Sequence, residues 1–216
     1  MKEWLKAESI KDTEKFYESK YLKDGLEAFK QTDWNFFYDY VARFFPGGMR
    51  VTDSILDCGC GGGHFLKNIF DRYPKTHPYL CGIELSPTAA GLAQENLKGH
   101  AYIHNADYLN FDDDCFKDNS FDIVTCFGTI EHSPDIMKAL GRIFSYAKPG
   151  GIIMITFPLE FDGCMTAIEN EENKKNNERF AKDYEWLAIV KEHINPFFSQ
   201  QIGTDLLMVF RKWVSA

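Results

Sequence analysis

From Ser54 onward the chain alternates short apolar runs with turns and helical patterns. Ile55-Leu56-Asp57, Tyr79 to Glu84, Ala101 to His104, Phe121 to Phe127 and Ile152 to Phe157 predict five strands. Helical spacing begins between them at about His64, Pro87 and Pro134. Ser86-Pro87 and Ser133-Pro134 each supply a capping hydroxyl followed by proline at the first helical position, which predicts where two of the helices start. Strands that are apolar on both faces and alternate with helices require a parallel sheet covered on both sides. The predicted class is α/β, a doubly wound sheet.

The two ends of the chain read differently. Between Asp33 and Phe45, the residues Phe36, Phe37, Tyr40, Val41 and Phe44 fall at helical spacing, with Asp33 placed to cap and Pro46-Gly47-Gly48 to stop the helix. In the tail, a helical pattern from Tyr184 to His193 leads to Phe197 to Ile202, then Gly203-Thr204, then Leu206 to Trp213. Strands joined this tightly must be antiparallel, because a parallel pair needs a crossover of a dozen or so residues. Residues 1–50 are therefore expected to form a helical cap or lid. Residues 51–216 are expected to form one α/β domain with an insertion at 159–183, within which NEENKKNN (170–177) is a polar surface segment.

Composition narrows the partners. With 44% hydrophobic and 26% charged residues, the 216-residue chain is ordinary for one globular domain. No apolar run approaches the roughly 20 residues that cross a bilayer. The charged start MKEWLKAESIKDTEK lacks a secretory h-region, which predicts a cytoplasmic protein, monomer or homodimer. The six cysteines form no CxxC pair and read as reduced thiols. Cys58 and Cys60 with His64 lack a second ligand cluster, and Asp112-Asp113-Asp114 reads as a solvated turn, so no metal is expected. A net charge of -8 repels phosphate backbones and argues against a nucleic-acid substrate.

The strongest local signal is ILDCGCGGGHFL, Ile55 to Leu66: a strand, a glycine loop and a helix start. Glycines permit sharp turning and close approach, and exposed amides at a helix N-terminus favour a carboxylate or phosphate. The dinucleotide pattern G-x-G-x-x-G fails at His64. Glu84 ends the second strand, one strand-helix unit after Asp57, and at the switch point of a doubly wound sheet it can accept from both hydroxyls of a ribose. The third strand ends in Asn105-Ala106-Asp107, where Asp107 is either an acceptor for the adenine amine or a turn residue.

At these residues the sequence resembles the class I S-adenosylmethionine-dependent methyltransferases, in particular the small-molecule group. The matching pieces are Asp57 to Gly63, Glu84, Asn105-Ala106-Asp107, Phe121-Asp122-Ile123-Val124, Glu131-His132, Arg142 and Lys148-Pro149-Gly150-Gly151, in family order from about residue 54 to 158. The resemblance implies a Rossmann-like sheet of seven strands in the order 3-2-1-4-5-7-6, the last strand antiparallel, in agreement with the tail hairpin. It implies S-adenosylmethionine as cofactor, S-adenosylhomocysteine as product and a small-molecule methyl acceptor. It further implies Asp57 near the methionine amino group, and Gly59, Cys60 and Gly61 lining the methionine through their backbone. Glu84 falls on the ribose, Leu85 and Tyr108 beside adenine, Asp107 on its amine, and Phe127 near the methionine part.

Methyl transfer needs a base only when the acceptor is poorly ionised, and His132, after the fourth strand, is the candidate catalytic residue. Two readings stand for it: a base, or a structural residue that caps or packs the following helix. Glu131 is expected to order the loop, and His64 either contacts the methionine carboxylate or faces solvent. Tyr17 and Tyr21, with Trp34, Phe37 and Tyr38, fold over the cofactor as a lid or pack as core. Two further readings compete with a methyltransferase: a nicotinamide-dependent oxidoreductase, and a non-catalytic module that binds S-adenosylmethionine as a subunit or sensor.

Overall fold

In the computed structural model, the described residues are 10–28, 39, 50, 53–73, 78–111, 116–133, 135–158, 194–202 and 205–213. Apart from Asp39, the predicted helix at 33–45 lies outside them, as do the predicted helix at 184–193, the 159–183 insertion, Pro134 and the Asp112–Asp114 turn. The elements in chain order are α1 (Ile10–Asp24), β1 (Ser54–Cys58), α2 (His64–Arg72), β2 (Tyr79–Glu84), α3 (Pro87–Leu97) and β3 (Tyr102–Asn105). They continue as β4 (Phe121–Cys126), a 3-10 turn (Ile130–His132), α4 (Ile136–Tyr146), β5 (Ala147–Pro158), β6 (Phe198–Ile202) and β7 (Asp205–Arg211).

The seven strands form one sheet in the order β3-β2-β1-β4-β5-β7-β6, as expected. β1 lies between β2 and β4, with Asp57 opposite Gly82 on one side and Thr125 on the other. β7 runs antiparallel to both β5 and β6. The alternation of side chains along each strand divides the core into two layers. Leu56, Ile83, Val124 and Ile155 pack under α4, while Ile55, Leu80, Ile123 and Met154 pack under α2 and α3.

The two proline start signals have different outcomes. Ser86 caps α3 as predicted, its hydroxyl accepting from Ala89 N–H at 3.1 Å with Pro87 at the first position. The helix predicted from Ser133 is described from Ile136, capped by Asp135, whose carboxylate accepts from Lys138 N–H at 3.0 Å. A carboxylate in extended backbone satisfies a free amide and also favours the positive end of the helix dipole, so Asp135 outcompetes the serine. β5 also starts earlier than the apolar pattern, at Ala147, which pairs with Phe121 across a register shift.

Candidate active site

The loops that follow β1, β2 and β4 converge at the carboxyl end of the sheet, where open α/β sheets bind ligands. Asp57 is buried there, and its Oδ1 accepts from the Thr125 hydroxyl at 2.7 Å. Burial raises its carboxyl to about 7, the Thr125 bond opposes that rise, and the nearby Glu84 adds to it. Glu84 is 7% exposed and accepts Gly61 N–H and Ser86 N–H, each at 2.8 Å, one on each oxygen. Burial pushes its carboxyl above the ordinary value despite those bonds. Among the described residues, neither acid forms an ion pair with a lysine or arginine. Two buried carboxyls held above their ordinary values are groups whose ionised form a positively charged or hydrogen-bond-donating ligand would favour.

The glycine loop corrects one expectation. Gly59, Gly61 and Gly63 adopt φ of 79°, 53° and 76°, the left-handed region that glycine occupies without strain. Its amides, however, are already bonded within the protein. Gly59 and Cys60 donate to the Ile83 carbonyl, Gly61 to Glu84, Gly62 to the Tyr21 hydroxyl and Gly63 to the Cys60 carbonyl. A buried N–H left unpaired is costly, so the loop satisfies its own donors in this structure. What the glycines permit is close approach by the protein itself. A Cβ on Gly61 would lie 2.3 Å from the Tyr21 hydroxyl, and one on Gly59 would lie 2.3 Å from Thr129.

α1 crosses this loop. Tyr17 and Tyr21 are four residues apart and share a helix face. Tyr21 is buried against the glycine loop, and its phenol is pushed well above its ordinary range by burial and by the charge of Glu84. The Tyr17 hydroxyl is 2.7 Å from His132 Nε2, and the two rings meet edge to face at 5.1 Å. His132 is 5% exposed on the 3-10 turn after β4. The helix-capping role considered for it belongs to Asp135.

The other predicted residues surround this centre. Cys60 is buried, with its thiol over Gly82, where a Cβ would lie 2.6 Å from its sulfur. Leu85 is half-buried, and its carbonyl accepts from Asn105 Nδ2 at 2.8 Å. Asp107 closes a turn, accepting from Leu109 N–H at 2.9 Å and from Asn110 Nδ2 at 2.7 Å. Tyr108 is buried in the α4 layer, and its carbonyl accepts from the Tyr146 hydroxyl. Phe127 is buried edge-on against Phe65. Glu131 is buried beside His132, and His64 is half-buried at the start of α2. His100 stacks on Phe70, and His104 packs against Phe111 and Phe116. Among the described residues, no group of histidines, cysteines and acids is arranged to hold a metal.

Residues 27–206 match the model of a family described as "Methyltransferase domain". The chain belongs to this methyltransferase family. It is 28% identical over 155 residues to phosphoethanolamine N-methyltransferase 2 of Caenorhabditis elegans, covering 64% of this chain but only 33% of that protein. Its fold matches Haemonchus contortus phosphoethanolamine N-methyltransferase 2, solved with phosphomonomethylethanolamine and S-adenosylhomocysteine. The TM-score is 0.67 at 22% identity, over 83% of this chain and 43% of that one. It also matches the N-methyltransferase NodS of Bradyrhizobium japonicum, solved with S-adenosylhomocysteine, with a TM-score of 0.66 at 18% identity over 93% and 98% of the two chains.

Some motif residues of the methyltransferase domain serve architecture. Lys148 bonds Asp122 at 2.8 Å at the far end of the sheet, and Arg142 lies over the Tyr146 ring while bonding Asp118 and the Phe111 carbonyl. Sequence reasoning missed Glu18 and Thr129, both of which touch the cradle formed by the loops after β1 and β2, Glu18 at Ser86 and Thr129 at Gly59. The only local hint for Glu18 was its place beside Tyr17 and three residues before Tyr21, on the same helix face.

Proposed function

We propose that this methyltransferase domain binds S-adenosylmethionine and methylates a hydroxyl or amine of a small-molecule acceptor in the cytoplasm. The observation that carries the reading is the pair of buried acids, Asp57 and Glu84, unpaired with any cation among the described residues and set beside the Tyr17–His132 contact. A cationic amino-acid nucleoside complements two carboxylates, whereas a pyrophosphate does not, so the chemistry disfavours the nicotinamide alternative. When bound, S-adenosylmethionine supplies a methyl group already activated by its sulfonium.

Asp57 would face the ammonium group and Glu84 the ribose hydroxyls, with Gly59, Cys60 and Gly61 along the methionine. Leu85 and Tyr108 would lie beside adenine, Asp107 at its amine and Phe127 near the methionine part. Residues 1–50 would act as the cap, through α1 in the part described. His132 accepts a proton at Nε2 when its Nδ1 carries one, and the Tyr17 hydroxyl is the group bonded to that nitrogen. A proton leaving an acceptor at the Tyr17 oxygen passes along the 2.7 Å bond to His132. Burial of His132 limits competition from water. The relative named phosphoethanolamine N-methyltransferase 2 supports the amine among these acceptors.

The test is a screen of hydroxylated rings, sugars and amines that reads release of S-adenosylhomocysteine, preceded by calorimetry with that product. Binding in the micromolar range and turnover of at least one acceptor class are expected. Absence of binding by the unmutated protein removes the proposal, and binding without turnover of any acceptor turns the reading to a sensor.

A further inference from the structure

Ser86 stands between two carboxylates. Its N–H donates to Glu84 at 2.8 Å, and its hydroxyl donates to Glu18 of α1 at 2.7 Å. Glu18 also accepts Thr88 N–H at 3.0 Å and the Thr88 hydroxyl. The free amides of the α3 N-terminus are thereby divided: Ala89 N–H goes to Ser86, and Thr88 N–H goes to a carboxylate from another helix. A helix N-terminus favours an anion there, and the Ser86 and Thr88 bonds hold the Glu18 carboxyl below its ordinary value against the effect of burial.

The contacts close into a ring. Tyr21 of α1 accepts from Gly62, Gly61 donates to Glu84, Glu84 accepts from Ser86, and Ser86 donates to Glu18, back on α1. Glu18 precedes Tyr21 by three residues and follows Tyr17 by one, so the same turn of helix carries the contact to His132. The ring reaches the loops after β1 and β2, and Tyr17 reaches the loop after β4. A ligand that bonds the Glu84 carboxylate enters this ring between the glycine loop and Ser86.

We infer that Glu18 is a positioning residue that couples occupancy of the cradle at Glu84 to the seating of α1, and so to the alignment of Tyr17 with His132. The inference rests on the cofactor reading above for the identity of the occupant. Glu18 acts through Ser86 and through the helix it anchors. A charge-assisted hydrogen bond is worth about tenfold or more in an equilibrium constant, enough to shift a helix held by few contacts.

The experiment is hydrogen exchange on unmutated protein, Glu18→Ala and Glu18→Gln, with and without S-adenosylhomocysteine, alongside calorimetry and steady-state kinetics. In Glu18→Ala, exchange across Ile10–Asp24 is expected to accelerate about tenfold while β1, β2 and β4 stay protected. The product is expected to bind about three- to tenfold more weakly and to restore α1 protection less fully, and kcat to fall along with a rise in the cofactor KM. Glu18→Gln, which keeps an acceptor but loses the charge, should fall between. Thr88→Val removes one donor to Glu18 without altering α1 and should move the same readouts in the same direction, which keeps the test decisive if Glu18→Ala does not fold. Unchanged α1 exchange, or equal acceleration over the whole sheet with unchanged product affinity, overturns the coupling. Failure of the unmutated protein to bind the product removes the methyltransferase reading and takes the coupling with it. Normal binding with unchanged exchange in the variants overturns the coupling alone.

Discussion

Asp122 and Asp57 sit at opposite ends of neighbouring strands and meet opposite environments. At the amino end of β4, Asp122 Oδ2 accepts from Ser54 N–H, the Ser54 hydroxyl and Lys148 Nζ, each at 2.8 Å. Burial pulls its carboxyl upward, but Lys148 and Ser54 outweigh that and hold it below the ordinary value. At the carboxyl end of β1, burial, joined by the repulsion of Glu84, raises the Asp57 carboxyl to about 7 against the opposing bond from the Thr125 hydroxyl. The first end is internally satisfied and serves the fold. The second gathers two buried acids, Asp57 and Glu84, and is the end at which we propose the cofactor binds.

The sharpest way to separate the two ends is kinetic. His132→Ala is expected to lower turnover about 10²- to 10⁴-fold with cofactor binding retained, whereas Asp122→Asn, at the other end of β4, should leave turnover per folded molecule unchanged. An unaffected rate in His132→Ala would return that residue to a packing role.

Next in size is binding. Glu84→Ala removes the acceptor assigned to the ribose, and product affinity measured by calorimetry should fall about 100-fold, equivalent to two charge-assisted hydrogen bonds. The comparison breaks if Asp122→Asn weakens binding as much.

For stability the order reverses. Asp122→Asn loses its ion pair with a partly exposed Lys148 and weakens its bonds to Ser54, and denaturant unfolding should show a loss of about 1 kcal/mol after discounting for solvent screening. Its contribution is present above the unfolded-state pKa and is lost as pH falls through the lower folded value. Asp57 works with the opposite sign. Its folded value of about 7 lies above the ordinary value of 3.8, so its contribution is fully present below the lower value and is lost as pH rises through about 7. Asp57→Asn should therefore flatten that loss.

The smallest effect is on the pH dependence of binding. If ionised Asp57 faces an ammonium group, product affinity should rise about tenfold or less between about pH 6 and about pH 8, and Asp57→Asn should abolish the rise. A flat profile in the unmutated protein would move the ammonium contact away from Asp57.

Much of this functional end is legible in the sequence. Strand ends are chemically exposed positions in a doubly wound sheet, so Asp57 and Glu84 could be placed from apolar runs and turn residues, and Ser86-Pro87 fixed the start of α3. Ser133-Pro134 misled because Asp135, a better cap, lay two residues on. The glycine loop misled in a subtler way. Its composition implied exposed amides, but those amides bond Ile83, Glu84, Tyr21 and Cys60. Glycine content reports the backbone's freedom to turn and says nothing of which acceptor arrives.

The sequence by itself determined the alternation of strands and helices, the antiparallel tail hairpin and the acids at the strand ends, because hydrophobic period and turn chemistry are local properties of the chain, whereas the strand order came from the family resemblance. Only the tertiary structure decided that α1 lies across the glycine loop. The Tyr17–His132 pair spans 115 residues, and Glu18 reaches Ser86 over 68. Contacts over such separations depend on how packed elements meet in space, and no local pattern in the chain encodes them.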